Sequence, residues 1–390
     1  MRPTVVRLGV TALATALVVC AGPSPSAGAA GEPYLIGAVV CESGPGSSLG
    51  RPEADSMQLA VDEINKAGGV NGHPLQITIL DDESNPTTAV NAFRKLLDQH
   101  VIAILGSSIT QSSLAMVPEA MKAEIPMISF ASSAQVISPV QDHKWIFKIP
   151  ITDYHVAQTM QDFMKKTGHL TNVAVIYRND DYGKSGLGHF ADSGKQAGFE
   201  VVDSEAIAAN ATDATTQLTK IKAASPQAVV VWSTLPSVSV VMKGYRELSL
   251  PYPIFFSDGA ANGAFLQQAG PAINGAYIAS TKINVADQLA ASDPARKVVT
   301  HYIDAFSKGY PKDLPVSIFG GFGYDGVYVL KTALELAKTT DHNWLRSALE
   351  HVTYNGVSGA FHISSGDHNG LSSFSTVITQ VDNQKFKLVK

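Results

Sequence analysis

Two stretches near the start of the chain decide the fold: Ser43-Gly-Pro-Gly-Ser-Ser-Leu-Gly50 and Ala60-Val-Asp-Glu-Ile-Asn-Lys-Ala-Gly-Gly-Val-Asn-Gly72. They lie between two apolar runs, Tyr34–Val40 and Leu75–Asp81, that have the length and composition of buried strands. Between these runs, Arg51–Ala67 has the spacing of an amphipathic helix. The adjacent glycines in the second stretch would end this helix, because glycine adopts the left-handed conformation without a steric penalty. The sequence therefore predicts a strand–helix–strand unit of a parallel sheet.

The same alternation continues along the chain and predicts an α/β fold with helices on both faces of mainly parallel sheets. The further predicted strands are Ile102–Leu105, Pro126–Ser129, Val173–Tyr177, Glu200–Ile207, Ala228–Trp232, Ile254–Ser257 and Ile273–Thr281. The further predicted helices are Thr87–Gln99, Ser113–Ala123, Tyr154–Thr167, Ser185–Ala197, Ala214–Ala224, Ser237–Glu247, Asp325–Thr339 and Asn343–His351. A hairpin of Phe374–Val381 with Lys385–Val389 would close the chain.

Composition and charge narrow the class of protein. The chain has 390 residues, of which 45% are hydrophobic and 16% are charged, and its formal net charge is −5. The apolar fraction is too high for a disordered chain, and the length fits two or three domains. We expect no nucleic-acid partner and no binding to an anionic membrane, because the basic residues are not clustered.

Residues 1–30 have the pattern of a secretory signal peptide. Arg2 and Arg7 precede the apolar run Leu8–Val19, and Ala27-Gly-Ala29 offers a cleavage site, so we expect cleavage near Ala29 or Ala30. A membrane anchor is the alternative, but this run is shorter than the roughly 20 residues that cross a bilayer. Lipid attachment at Cys20 is a second alternative. Cleavage would leave one cysteine, Cys41, which the apolar run predicts to be a core residue.

Signatures of catalysis are absent from the sequence or incomplete. There is no Gly-x-Ser-x-Gly turn for a nucleophile and no His-Glu-x-x-His spacing for zinc. Gly321-Phe-Gly323-Tyr-Asp-Gly326 matches a dinucleotide-binding fingerprint, but no convincing strand–helix–strand unit with a ribose-binding acid follows it. We interpret these glycines as a tight turn into the helix that begins near Asp325. We therefore predict a protein that is not an enzyme, with no catalytic residues, no metal site and no cofactor.

The opening stretches are similar to those of a known family, and further family-like segments follow almost to the end of the chain. These segments are Asp81-Asp82, Ile128-Ser-Phe-Ala-Ser-Ser133, Asn179-Asp-Asp-Tyr-Gly183, Asp258-Gly259, Tyr324-Asp325 and Gly366-Asp-His-Asn-Gly370. The chain thus resembles the periplasmic substrate-binding proteins of ABC importers, in the branched-chain amino-acid (Leu/Ile/Val-binding) family, over essentially all of 32–390. This resemblance implies the type I periplasmic binding fold, with two Rossmann-like lobes, three crossovers and a ligand cleft between the lobes. We expect lobe one to comprise 32–150 and 282–359, and lobe two 151–281 and 360–390.

The resemblance also implies which residues line the cleft. Ser107 matches the serine that receives the ligand carboxylate, and Ser108 and Thr110 are close enough in sequence to help. These three could instead cap the next helix. Ala131 and Ser133 match positions that offer a main-chain carbonyl and a hydroxyl.

The remaining predicted contacts set the preference for a solute. Tyr182 matches the aromatic contact of lobe two, and Asp258 matches the acid that pairs with an amino-acid ammonium, or else is an exposed turn residue. Leu49 and Phe319 match apolar walls, or else belong to the core or rim. Leu235 replaces a tyrosine of the amino-acid binders, so that Trp232, Phe130, Leu235 and Phe319 could line a site for an aromatic acid or amide.

The predicted function is that of an extracytoplasmic solute receptor. It would capture a small carboxylate-bearing solute, with a branched-chain amino acid as the first candidate, by cleft closure in the periplasm. The expected partners are this solute and an ABC permease of the inner membrane, and we expect a monomer that is not inserted in the membrane after cleavage. An aromatic acid binder, a periplasmic sensor input domain and an exported enzyme are the alternatives. Neighbouring permease genes would favour transport, and a kinase gene would favour sensing.

Overall fold

The structure is a computed structural model that describes residues 31–310 and 315–389. Its first sheet has five parallel strands in the order β2-β1-β3-β4-β5. The elements around it are β1 (Tyr34–Val40), α1 (Ser47–Lys66), β2 (Leu75–Asp81), α2 (Pro86–Leu97), β3 (Ala103–Gly106), α3 (Thr110–Ala123), β4 (Met127–Ser129) and β5 (Ile146–Lys148). This sheet forms the centre of lobe one.

The second sheet forms the centre of lobe two. The elements that follow β5 are α4 (Asp153–Gly168), β6 (Asn172–Arg178), α5 (Asp181–Ala197), β7 (Glu200–Ile207), α6 (Thr215–Ala224), β8 (Ala228–Trp232), α7 (Ser237–Glu247), β9 (Ile254–Phe256), α8 (Gly263–Ala269) and β10 (Tyr277–Ser280). Then come α9 (Ala295–Gly309), α10 (Ile318–Ala337), α11 (His342–Leu349), β11 (Thr353–Asn355), β12 (Ala360–His362), β13 (Val377–Asp382) and β14 (Lys385–Leu388). The sheet order is β14-β13-β10-β9-β8-β6-β7, and only the pairings of β13 are antiparallel among the described strands. Every residue of the central strand β8 is buried, as parallel strands covered on both faces require.

The glycines before Asp325 lie inside a helix, so the predicted turn into a helix near Asp325 is wrong. Helix α10 begins at Ile318 and packs along α1 in lobe one. A side chain at position 323 would overlap the carbonyl oxygen of Glu53, and one at position 320 would come within 2.8 Å of the Ser56 hydroxyl. The glycines therefore allow two helix backbones to approach closely, and the helix does not need them as a turn.

Three segments of chain pass between the lobes. The first lies between β5 and α4 and the second between β10 and α9. For the third, the predicted boundary at 359 falls between β11 and β12, which pair with each other. Farther on, the main-chain N–H of Lys148 donates to the carbonyl oxygen of His368 (3.1 Å), so this part of the chain still contacts lobe one. We therefore propose that the third passage lies between Leu371 and Val377.

The first and third passages are joined by one side chain. Asn369 is 1% exposed, and its Nδ2 donates to the carbonyl oxygens of Lys148 (3.1 Å) and Pro150 (2.8 Å). The ring Nδ1 of His368 lies 2.7 Å from the carbonyl oxygen of Ile146. These contacts bind the two segments of the hinge to each other.

The search for membrane-spanning helices covered the described residues. Within 31–310 and 315–389, no helix combines the length and the apolar character needed to cross a bilayer. The predicted signal peptide, residues 1–30, lies outside the described residues.

Candidate ligand-binding cleft

Polar side chains that follow strands of both sheets meet between the lobes. The Ser132 hydroxyl, after β4 of lobe one, donates to Oδ2 of Asp258, after β9 of lobe two (2.8 Å). The Ser133 hydroxyl donates to the Ser185 hydroxyl on α5 (2.9 Å). The carboxyl ends of parallel strands are where open α/β sheets bind ligands. These two contacts hold the lobes together across that region.

Asp258 is a buried carboxylate held by hydroxyl groups. It is 4% exposed and lies on a short 3-10 turn. The Tyr182 hydroxyl donates to Oδ1 of Asp258 (3.0 Å), accepts the Gly259 N–H (3.2 Å) and lies 3.0 Å from the Ser257 hydroxyl. Burial raises the pKa of Asp258, and burial raises the pKa of Tyr182 well above its usual value. The structure thus brings Ser133, Tyr182 and Asp258 to one side of the gap.

Lys148 is a buried cation at the hinge that the sequence analysis missed. Its Nζ donates to the carbonyl oxygens of Ser132 (2.9 Å) and Pro150 (2.7 Å). Burial lowers the pKa of this amine to about 8, and the charges of Asp153 and Asp258 oppose the shift. The signal in the sequence was a single lysine within the apolar run Trp145–Pro150.

Asp153, at the start of α4, organises the second contact between the lobes and was also missed. Its carboxylate accepts the Ser185 hydroxyl and the N–H groups of Ala134 (3.2 Å) and Tyr154 (3.0 Å). Ser133 therefore reaches a lobe-two hydroxyl whose orientation is fixed by a buried acid. A single aspartate before a predicted helix is common at helix starts and gave no distinct signal.

The Ser107 loop is wired within lobe one. The Ser107 N–H donates to the Ser113 hydroxyl (3.2 Å), which in turn donates to the Ser107 carbonyl oxygen (2.7 Å). The Ser107 hydroxyl accepts the Ile109 N–H (3.2 Å). Because this bond uses an oxygen lone pair, the hydroxyl proton of Ser107 can still be donated to a ligand. Ser108 donates to Glu53, and the hydroxyl of Thr110, 2% exposed, has no partner within the described residues.

Two buried acids lie beside this loop, and the sequence analysis missed both. Glu53 on α1 and Asp82 after β2 are both fully buried. Burial raises the pKa of Glu53 well above its usual value, and the charge of Asp82 adds to the shift. Burial also raises the pKa of Asp82, while the Ser107 and Ser112 hydroxyls oppose the shift. A carboxyl group that keeps its proton donates a hydrogen bond, so Glu53 in that form would not repel an anion near Ser107.

The apolar members of the predicted site are buried in three places. Leu49 lies in the first turn of α1, Leu235 precedes α7, and Phe319 lies on α10, and they are 3%, 5% and 4% exposed. Ala131 is buried and donates its N–H to the Ser129 hydroxyl (3.0 Å). Phe130 and Trp232 pack against the glycines of helices α10 and α5 within their own lobes, which accounts for their burial without a ligand.

Two further observations concern cavities and metals. A cavity of about 290 Å³ beside the second and third passages is lined in part by Lys282, Val357 and Phe374, and by none of the ten predicted residues. Within the described parts of the chain, no group of three or more His, Cys, Asp or Glu side chains could hold a metal ion. We place the candidate site at the strand edges, where polar side chains of both lobes meet.

The fold and the cleft define a class, the two-lobed solute-binding proteins. A model of the periplasmic binding protein family matches residues 33–385, so the chain belongs to this family. It is similar to the leucine-, isoleucine-, valine-, threonine- and alanine-binding protein of Pseudomonas aeruginosa, with 25% identity over 81% of this chain and 82% of that relative. These findings confirm the predicted family.

Solved structures support the fold. An extracellular ligand-binding receptor from Rhodopseudomonas palustris HaA2 is 27% identical, with a TM-score of 0.84 over 92% of this chain and 99% of that one. An R. palustris solute-binding protein in complex with benzoate is 20% identical, with a TM-score of 0.79 over 92% of this chain and 95% of that one. The predicted two-lobed α/β fold is confirmed.

Proposed function

We propose that this protein is an extracytoplasmic receptor that captures a small carboxylate-bearing solute and delivers it to an ABC permease. Branched-chain amino acids are the first candidates, as the name of the P. aeruginosa relative suggests. The observation that carries the proposal is Asp258, a buried acid between the lobes whose hydrogen bonds come from the Ser132 and Tyr182 hydroxyls. A buried carboxylate is costly without a cation, so this position favours a ligand with an ammonium group.

The opposite edge of the cleft supports the carboxylate half of the proposal. The Ser107 hydroxyl has a proton to donate, and α3 begins a few residues later at Thr110. The positive end of a helix dipole favours an anion. An amino acid with its carboxylate at Ser107 and its ammonium at Asp258 would join the two lobes, so closure and binding would be one event.

The test compares a solute with its analogue that lacks the amino group. Isothermal titration calorimetry with leucine and 4-methylpentanoate should show leucine binding at least ~10-fold more tightly, because only leucine has an ammonium for Asp258. Equal affinities would remove Asp258 from the site. A wider thermal-shift panel of amino acids should reveal the solute, since a ligand at 100 times its Kd stabilises by about 2.7 kcal/mol. Silence across the panel would overturn the proposal.

An aromatic carboxylic acid is the second candidate. The predicted wall positions Leu49, Leu235 and Phe319 all carry apolar side chains. An aromatic ring would fit such walls, and it would need no ammonium. Benzoate binding that is tighter than leucine binding, and that is insensitive to Asp258→Asn, would favour this candidate over the first.

We also propose export to the periplasm with cleavage near Ala29 or Ala30, and a monomeric mature chain. N-terminal sequencing of the protein from a periplasmic fraction tests the cleavage site. A mature chain that still begins at Met1 and stays with membranes would contradict it. Gel filtration coupled to light scattering tests the oligomeric state.

A further inference from the structure

A second cavity lies at the mouth of the cleft and is lined by both lobes. Its volume is about 200 Å³. Lobe one contributes the start of α1 and the segment before α10, and lobe two contributes the start of α8. The lining residues used below are Ser48, Arg51, Asn262, Gln267 and Ser317. Leu49 and Phe319, the predicted apolar walls, are next to Ser48 and two residues after Ser317 in the chain. The cavity is therefore an outward continuation of the candidate site.

Asn262 offers this cavity a hydrogen-bond donor. The residue is 2% exposed, and its Oδ1 accepts the Phe265 N–H at the start of α8 (2.9 Å). That bond assigns the amide orientation, so Nδ2 is the other end of the group. Nδ2 has no partner within the described residues. A buried amide donor without a partner is costly, and a ligand that accepts a hydrogen bond would remove the cost.

The start of α1 adds positive potential on the opposite wall. This helix has 20 residues, no acidic residue in its first turn and no side-chain cap on its first N–H groups. The Ser48 hydroxyl is buried and has no partner within the described residues. Arg51 donates through Nε to the carbonyl oxygen of Glu42 (2.9 Å), which fixes one edge of its guanidinium beside the cavity. All the charge that the described lining residues provide is positive.

We propose that this cavity is a second subsite, which binds a carboxylate at the far end of the solute. The inference rests on the proposed function, in which Ser107 and Asp258 hold the amino-acid end. It names the class of solute more closely: an acidic amino acid whose side chain ends in a carboxylate. Because donors come from both lobes, the bound carboxylate would add to the free energy that holds the cleft closed.

The test uses acidic and apolar amino acids of equal chain length. Glutamate, 2-aminoadipate and 2-aminopimelate are titrated beside norvaline, norleucine and 2-aminoheptanoate. At least one acid should bind 10-fold or more tightly than its apolar counterpart. Asn262→Asp should abolish this preference, because it keeps the acceptor that caps α8 but replaces the donor with a negative charge. Arg51→Gln should reduce the preference at least threefold, and neither variant should change the apolar affinities more than twofold.

Two matched control variants exist in lobe one. Asn85→Asp changes an asparagine that caps α2 in the same way, by accepting the N–H groups of Thr87 and Thr88. Arg94→Gln removes an exposed guanidinium that pairs with Glu119. Both should keep the preference for the acid. If Asn262→Asp fails to fold, as its melting curve would show, Arg51→Gln decides the question.

The outcomes separate the inference from the proposed function. Equal or weaker binding of every acid, or a preference that survives in both cleft variants, overturns the second subsite while monocarboxylate amino acids still bind. Failure of all six amino acids to bind overturns the proposed function, and the second subsite with it.

Discussion

The two edges of the cleft differ in where their hydrogen bonds end. In lobe one, the Ser107 loop bonds to Ser113 and Ile109 of the same lobe. In lobe two, Asp258 and Ser185 accept hydrogen bonds from Ser132 and Ser133 of the other lobe. The first edge is therefore complete in an open molecule, whereas the second is completed only by closure. A solute would meet a preformed anion site first and a site that forms around it second.

The largest expected effect is at the edge that closure completes. Asp258→Asn should weaken leucine binding at least ~30-fold, since breaking a buried charged pair costs about 2–5 kcal/mol. It should leave 4-methylpentanoate within about twofold, because that ligand has no ammonium. Calorimetry of the two ligands on wild type and variant measures the difference. An equal loss for both ligands would mean that the variant disturbs the lobe and not a charge contact.

The preformed edge should discriminate less. Ser107→Ala should weaken every carboxylate ligand by about 1.5–3 kcal/mol, the range for a hydrogen bond to a charged group, or roughly 10- to 150-fold. Calorimetry with leucine and 4-methylpentanoate should show the same factor for each. Ser193→Ala, which removes a hydroxyl bonded to Gln161 within lobe two, is the control and should change neither affinity. If only one ligand weakens, the two edges do not divide the solute as proposed.

Removal of a bond between the lobes should have a smaller effect, visible without solute. Ser132→Ala deletes the hydrogen bond to Asp258, which contributes about 0.5–1.5 kcal/mol to the closed state. We expect a larger radius of gyration for the free protein by X-ray scattering, and no change when the solute is saturating. A free protein of unchanged size would show that this bond does not hold the lobes together.

The smallest expected effect concerns the acid buried in the preformed edge. Because the pKa of Glu53 is raised from its ordinary value of 4.5, wild type is fully stabilised by this group below that pH and loses the contribution as pH rises through the folded-state pKa. Glu53→Gln removes this dependence, so its free energy of unfolding relative to wild type should improve from pH 4 to pH 8. Urea unfolding at both values measures it, with the exposed Glu200→Gln as control. A constant difference across this range would contradict the shift.

The strand–helix alternation was predictable because it depends on local spacing. Strands β1, β2 and β7 have their predicted bounds, since each is an apolar or alternating run between turns. The start of α10 was not predictable, because its glycines match a turn locally and fit a helix only beside α1. Helices α8 and α9 were missed, and both begin after loops without a strong periodic signal.

The candidate site shows the same division. Ser107, Tyr182 and Asp258 were found through short motifs that the family shares, and their role in binding stays a prediction. Glu53, Lys148 and Asp153 were missed, because each is a charged residue within a regular element, where spacing alone favours an exposed position. Their burial follows from contacts between segments far apart in the chain.

The Asn369 amide has a mechanical consequence. By bonding to the carbonyl oxygens of Lys148 and Pro150, it makes two of the three connecting strands behave as one strap. A strap of this kind resists shear and permits bending, so the halves should swing about one axis like the covers of a book. Two fluorophores, one on each half, would then report the whole motion through a single angle.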